Sequence, residues 1–282
     1  MDAGRCTPRL WCALRRDRRA HVGGALLGLI IVLAVAAPLL SGYDPLITAP
    51  AQQLSPPGWL HPLGSDLFGR DVWSRLVWGG RLSLSSGVTA TLIAVLCGSA
   101  IGLLSGYAGG RWDASLMRGV DVLLAFPSLL LALAIVAALG TGLTSATVAV
   151  GIAGIPRFAR VMRAAALAVR TEPFIEAARV VGCRPARIVV RHLVPNVLDT
   201  LVVLASLELG YALLNIGALS FLGLGAQPPA AEWGLMLTEG RAYLRTAPWI
   251  SAAPGVAITL SVLAVNLVGD ALRDGLGLQA QT

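Results

Sequence analysis

The residue types that usually carry catalysis are sparse and scattered in this chain. His21, His61 and His192 are far apart and form no pair at helical spacing that could hold a metal. Cys6, Cys12, Cys97 and Cys183 include no CxxC, and Cys97 stands in an apolar run, so no disulfide framework is expected. There is no HExxH and no GxSxG, hence no recognisable nucleophile–base or zinc set, and no catalytic or metal residue is assigned. A phosphate-cradling Walker loop needs lysine, and all 22 basic residues are arginine. What remains is charge in unusual places. Glu208 sits inside DTLVVLASLELGYALL, and Asp121 and Asp199 stand at the heads of apolar runs. A charge at the centre of a bilayer costs on the order of 3 kcal/mol or more unless it meets protein or water. Glu208 is therefore expected to face a polar cavity or to pair with an arginine, as a helix–helix contact or as part of a translocation path.

The elements that must position these groups follow from composition. Of 282 residues, 56% are hydrophobic and 13% charged, with a mean hydropathy of +0.74. Soluble domains carry about 45–50% apolar and about 25% charged residues. Membrane lipid is the solvent that accommodates such a chain. The net charge of +7 does not signal nucleic acid, because the arginines lie between apolar runs rather than in a stripe among exposed aromatics.

With about 20 apolar residues per crossing, six spans are expected, at about 22–41, 84–107, 117–139, 143–165, 197–221 and 249–270. The first follows RRDRRAH and reads as a retained helix rather than a removed signal. Placing both termini in the cytoplasm puts seventeen arginines inside and five outside: Arg70, Arg75, Arg81, Arg241 and Arg245. The division expected is residues 1–82, with the first span and an external segment, and a core of five spans over 83–282.

Two external segments stand out. Residues 42–82 contain SPPGWLHPLGSDLFGRD and then VWSRLVWGGRLSL, an amphipathic stretch expected to lie along the outer surface. Residues 222–248 contain GLGAQPPAAEWG, where the prolines should force a rigid turn. Gly98, Gly102, Gly106 and Gly110 recur every four residues and would line one helix face, packing within the chain or against a second membrane subunit.

The largest cytoplasmic segment reads RFARVMRAAALAVRTEPFIEAARVVGCRPARIVVRHLVPN and holds eight arginines. Thr171 and Pro173 mark a helix start, with Glu172 and Glu176 near its positive end. Gly182 breaks that helix, and Arg184-Pro185 opens a second short one. Ala177 and Ala178 leave a smooth face for a partner. His192, Pro195 and Asn196 end the segment at the mouth of the fifth span, where loop motion could reach that helix.

In this segment Glu176, Ala177, Ala178, Gly182 and Pro195 resemble the EAA loop of bacterial ABC importer permeases. The resemblance extends to HPLGSDLFGRDVWSRLVWGGRLSLS at 61–85, GYAGGRWDASLMRGVDVLLAFPSLLLAL at 106–133, LSFLGLGAQPPAAEWGLML at 219–237 and VLAVNLVGDALRDGL at 262–276. These are similar to dipeptide, oligopeptide and nickel permeases of the C type. The chain departs from the usual pattern at Ala231, at Ile155-Pro156 and at Leu276-Gly277-Leu278.

The resemblance implies an all-α, type I ABC importer permease fold in the bacterial inner membrane. It implies a coupling loop at about 166–196, with Glu176 to Cys183 seated on an ATPase, a homologous permease partner forming a heterodimer, two ABC ATPase subunits and an extracytoplasmic substrate-binding protein. ATP and Mg would be held by the ATPases, leaving no cofactor on this chain. The binding protein is expected to touch Gln227, Pro228, Pro229, Glu232 and Trp233, and Glu208 is a candidate for the translocation path. Peptide is the leading cargo, with nickel or a metal chelate as the alternative. The rival classes are a membrane-embedded enzyme, which lacks its catalytic set here, and a channel or scaffold without transport.

Overall fold

A computed structural model describes residues 17–276. Cys6, Cys12, the four arginines of residues 1–16, Gly277 and Leu278 lie outside them. Asp17 caps the first helix, α1 (Arg18–Val35), by accepting from Arg19 N at 2.8 Å. After the single turn α2 (Ala37–Leu40) the chain runs irregularly to Asp71, whose carboxylate accepts from Ser74 N at 2.7 Å and opens α3 (Val72–Ala108).

At about 1.5 Å per residue the 37 residues of α3 reach about 55 Å, far beyond a hydrocarbon core of about 30 Å. Residues 72–83, expected to lie along the outer surface before the second span, form one unbroken helix with it. Gly79 and Gly80 leave room there for Trp233, whose ring lies 3.1 and 3.0 Å from where their Cβ atoms would stand. The expected division at 82–83 thus falls inside a helix.

The expected third span is also corrected. It forms two helices, α4 (Gly110–Leu124) and α5 (Ser128–Leu139), at 90° to each other. Pro127 causes the break: it lacks an N–H and keeps the preceding residue out of the helical region. The long α6 (Leu143–Arg170) follows, then α7 (Pro173–Val180), α8 (Pro185–Ile188), a π-turn at Val189–Leu193, α9 (Val194–Phe221), α10 (Trp233–Gly240) and α11 (Trp249–Gly275). No β-strand occurs among the described residues.

Among the described residues, four helical stretches are long and apolar enough to cross a membrane: α1, α3, Pro185–Phe221 and α11. Counting the bent α4–α5 pair makes five. The 28-residue α6 falls short because its second half carries Arg157, Arg160, Arg163 and Arg170.

The core is built on close backbone approach. Cβ atoms at Gly98, Gly102 and Gly106 would stand 2.5, 2.8 and 2.7 Å from the Cβ atoms of Phe158, Met162 and Ala166 on α6. Those three partners are fully buried. The glycine face therefore packs α3 against α6 of the same chain. Gly110 is not part of it, having φ +58° and open space around it at the start of α4. Ala90, Val136, Ala149, Ile216 and Leu219 join α3, α5, α6 and α9 in the largest apolar cluster, and α1 packs on α11.

Candidate functional site

The segment between α6 and α9 folds as two short helices around one turn. α7 starts at Pro173, whose missing N–H suits a first helical position. Glu176 lies in the first turn, where the helix dipole favours a carboxylate. At its end Val181 N, Gly182 N and Cys183 N donate to the carbonyls of Ala177, Arg179 and Ala178 at 2.9–3.0 Å. Gly182 has φ +83°, a left-handed conformation that favours glycine, and no atom lies within 4 Å of where a Cβ would stand. Arg184 then caps α8, which begins at Pro185.

The two helices are held from beneath by Ile175, Ile188 and Leu193, all at most 1% exposed. Their outer side is bare. Glu176 and Ala177 are exposed, Ala178 and Cys183 are half-buried, and Val180 and Val181 are 87% and 82% exposed. Phe174 and Val190 add further exposed apolar surface. His192 is half-buried within the π-turn, its ring 6.4 Å from that of Phe174. Pro195 is in the first turn of α9, and Asn196 Nδ2 donates to His192 O at 2.6 Å. The structure thus gathers the predicted loop residues into one unit that continues directly into α9.

At mid-helix depth the arginines of α6 meet acids on two other helices. Arg157 Nη1 donates to Glu208 Oε2 on α9 at 2.9 Å, and Arg160 Nη2 to Asp121 on α4 at 2.8 Å. Arg163 grips Asp113 through both Nε and Nη2 at 2.6 Å, and Ser105 also donates to Asp113. Glu208 is 5% exposed, whereas the Arg157 side chain is 43% exposed and lies 4.5 Å from the Tyr211 ring centroid. Sequence reasoning missed Asp113 as a partner, although its place one helical turn after Gly110 marked it as an acid at a helix start.

The opposite end of α9 carries the other predicted surface. Gln227, Pro228 and Pro229 are exposed, the two prolines joined by a cis peptide bond. Glu232 and Trp233 present no surface. Glu232 is 1% exposed and caps α10 by accepting from Gly234 N and Leu235 N at 3.0 and 2.9 Å, while Ser83 Oγ donates to it at 3.0 Å. Trp233 is buried, its Nε1 donating to Leu76 O at 2.9 Å.

Beside them lies a buried ion network that the sequence did not reveal. Arg70 Nε bonds Asp66 at 2.6 Å, and Arg70 and Arg75 both donate to Glu239 Oε2, at 2.9 and 2.8 Å. His61 bridges Asp71 and Gln52 at 2.9 and 2.8 Å. Arg70 and Arg75, read from sequence as topology charges, are therefore neutralised inside the protein.

Among the described residues no three His, Cys, Asp or Glu side chains converge on a metal site, and Cys97 and Cys183 are free.

Residues 98–277 match the binding-protein-dependent transport system inner membrane component family, and residues 9–57 match the N-terminal transmembrane domain of oligopeptide transport permease C. The chain is 44% identical to the dipeptide transport system permease protein DppC of Alkalihalophilus pseudofirmus, over 93% of this chain and 86% of the relative. It is 42% identical to the di/tripeptide permease DppC of Pseudomonas aeruginosa, over 91% and 88%. It is likewise 42% identical to the glutathione permease GsiD of Pectobacterium atrosepticum, over 94% and 89%. The fold matches an inward-facing structure of the MetNI methionine ABC transporter with TM-score 0.58 and 21% identity, over 73% of this chain and 96% of that one. The chain has the type I importer permease fold and belongs to the binding-protein-dependent transport system inner membrane component family: it is a multi-pass bacterial inner-membrane permease of an ABC importer, with the ATPase on a separate subunit.

Proposed function

We propose that this chain imports di- or oligopeptides as one half of a permease heterodimer. It crosses the membrane six times, with α6 completing the set because Arg157, Arg160 and Arg163 are paired with Glu208, Asp121 and Asp113. Both termini are cytoplasmic. The segment 172–196 seats in a groove on one of two ATPase subunits, which hold ATP and Mg. An extracytoplasmic binding protein delivers cargo to the opposite end, where Gln227, Pro228 and Pro229 are the exposed candidates for contact.

The observation that carries this reading is the α7–turn–α8 unit. It is anchored underneath by buried aliphatic residues, exposes Val180 and Val181 among charged side chains on top, and is continuous with α9. Val180 and Val181 stand 87% and 82% exposed at an ordered helix end, where a partner could cover them. A seated loop gives ATP binding a lever on the spans: when two ATPases close, paired loops approach and the helices rock between inward-open and outward-open states. Peptide as cargo rests on the relatives being named as dipeptide, di/tripeptide and glutathione permeases.

The test is reconstitution with the second permease, two ATPases and the binding protein. ATP hydrolysis stimulated by peptide-loaded binding protein should collapse with Gly182→Pro, which cannot adopt φ +83°, and with Glu176→Arg, which reverses charge at the dipole's positive end. Peptide uptake unaffected by either substitution would remove the coupling assignment.

A further inference from the structure

Arg157 and Arg160 are each held to an acid through a single nitrogen, and Arg157 is the one whose acid is buried. It stands at the middle of α6 and its partner Glu208 at the middle of α9, each helix being 28 residues long. Glu208 is enclosed, but Arg157 is not: 43% of its side chain is exposed, and one of its nitrogens alone is engaged, by Glu208 Oε2. The Nε and Nη2 donors make no hydrogen bond among the described residues. A guanidinium at this depth must meet water, a ligand or a protein partner rather than lipid.

Its surroundings are those of a recognition site. Arg157 and Glu208 line a cleft between α5, α6 and α9, together with Ser128, Tyr211 and Asn215. The Tyr211 ring holds the guanidinium face at 4.5 Å and is itself 51% exposed. Tyr211 also walls an adjoining groove of about 310 Å³ between α9 and α11, which carries Asn266 and an exposed Asp270. Arg157 does not line that groove, and its own cleft is narrow, about 20 Å³. A planar guanidinium with free donors and an aromatic backing is suited to carboxylate, which it can take in a two-bond fork.

We propose that Arg157 is a cargo-recognition residue, receiving the carboxylate of a peptide as it passes through the permease. Glu208 is the positioning residue that holds the guanidinium ready when no cargo is present. The inference rests on the peptide-importer reading above. It adds a specificity element within the membrane to the one on the binding protein, and favours peptides with a free C-terminus.

The experiment uses the whole reconstituted complex and a dipeptide with neutral side chains, so that the C-terminal carboxylate is the cargo's only one. Arg157→Gln alone would leave a buried, unpaired carboxylate and could prevent folding. The decisive variant is therefore R157Q/E208Q, which replaces the ion pair by two neutral amides. With saturating loaded binding protein, uptake per assembled complex should fall about tenfold, the scale of one charge-assisted hydrogen bond. Arg157→Lys, which retains charge without the fork, should fall between this variant and wild type, and Glu208→Gln should lose less than the double variant. Assembly is read separately, from the subunit ratio and thermal midpoint of the purified complex.

If R157Q/E208Q takes up the dipeptide at the wild-type rate, the pair is a structural helix–helix tie and the proposal fails. If the second permease is lost from the double variant, Arg157 belongs to the subunit interface and the proposal fails equally. A wild-type complex that takes up no peptide at all would overturn the cargo reading instead, before any variant is compared.

Discussion

The two ends of α9 are built on opposite plans. At its C-terminal end the polar groups are turned inward: Arg70, Arg75, Asp66 and Glu239 neutralise one another in the interior, and Glu232 and Trp233 are consumed in holding α10 against α3. At its N-terminal end the polar and apolar groups of α7 and α8 are turned outward over three buried aliphatic anchors. A charge-balanced, buried end can act as a fixed frame. The other end is incomplete by itself, and in a permease that is where a partner that performs work would attach. The contrast also bears on orientation, because two of the five arginines assigned to the outside are structural, which strengthens the bias of free positive charge toward the loop end.

The strongest way to break this comparison is to remove one cation from the closed end. Arg75 is 1% exposed and shares Glu239 with Arg70, while its Nε lies 3.5 Å from Asp66. Arg75→Met should destabilise by about 3–5 kcal/mol, since it leaves buried acid in excess of buried base. The check is the thermal midpoint and yield of the purified complex in detergent. A midpoint unchanged from wild type would mean that the network does not hold this end closed.

The middle-sized effect falls on Glu232. Its two oxygens satisfy Gly234 N, Leu235 N and Ser83 Oγ. Losing an N-cap of this kind costs about 0.5–2 kcal/mol, and the burial of the donors places Glu232→Ala toward the upper part of that range. Glu232→Gln keeps one acceptor oxygen and should recover part of the loss. If instead both variants retain stability but lose stimulation by the binding protein, Glu232 works as a contact and the closed-end description needs revision.

How much of each end could be read from sequence follows from the range of its interactions. The loop is local. Pro173, Gly182 and Pro185 each act on their own backbone, and the helix–turn–helix they specify appears where they stand. The closed end is made by pairings 149 to 169 residues apart, Glu232 with Ser83, Trp233 with Leu76 and Arg70 with Glu239. In one sequence those residues look like ordinary charges and aromatics of external loops. The Pro127 break was within reach of local reasoning, but the apolar residues on both sides of it, over 122–139, masked it. For Glu208 the chemistry required a partner, yet only the fold selected Arg157, 51 residues away, from the several arginines of α6.

The smallest expected effect on stability sharpens the comparison most. Val180 and Val181 are 87% and 82% exposed, so replacing both with serine should leave the unfolding midpoint of this subunit within the range of about 0.5 kcal/mol seen for surface changes. If the loop end is the incomplete one, those side chains become buried only when an ATPase covers them. At about 25 cal/mol per Å² of apolar surface, their loss should weaken that association while leaving the permease folded. The measurement is the fraction of ATPase retained on the permease through dilution, read beside the midpoint. Retention equal to wild type would show that the exposed valines lie outside the covered surface, and would shift the contact toward Glu176 and Ala177 on the same helix. Loss of both retention and fold would contradict the distinction itself, because the loop would then be supporting the protein that it is described as only extending from.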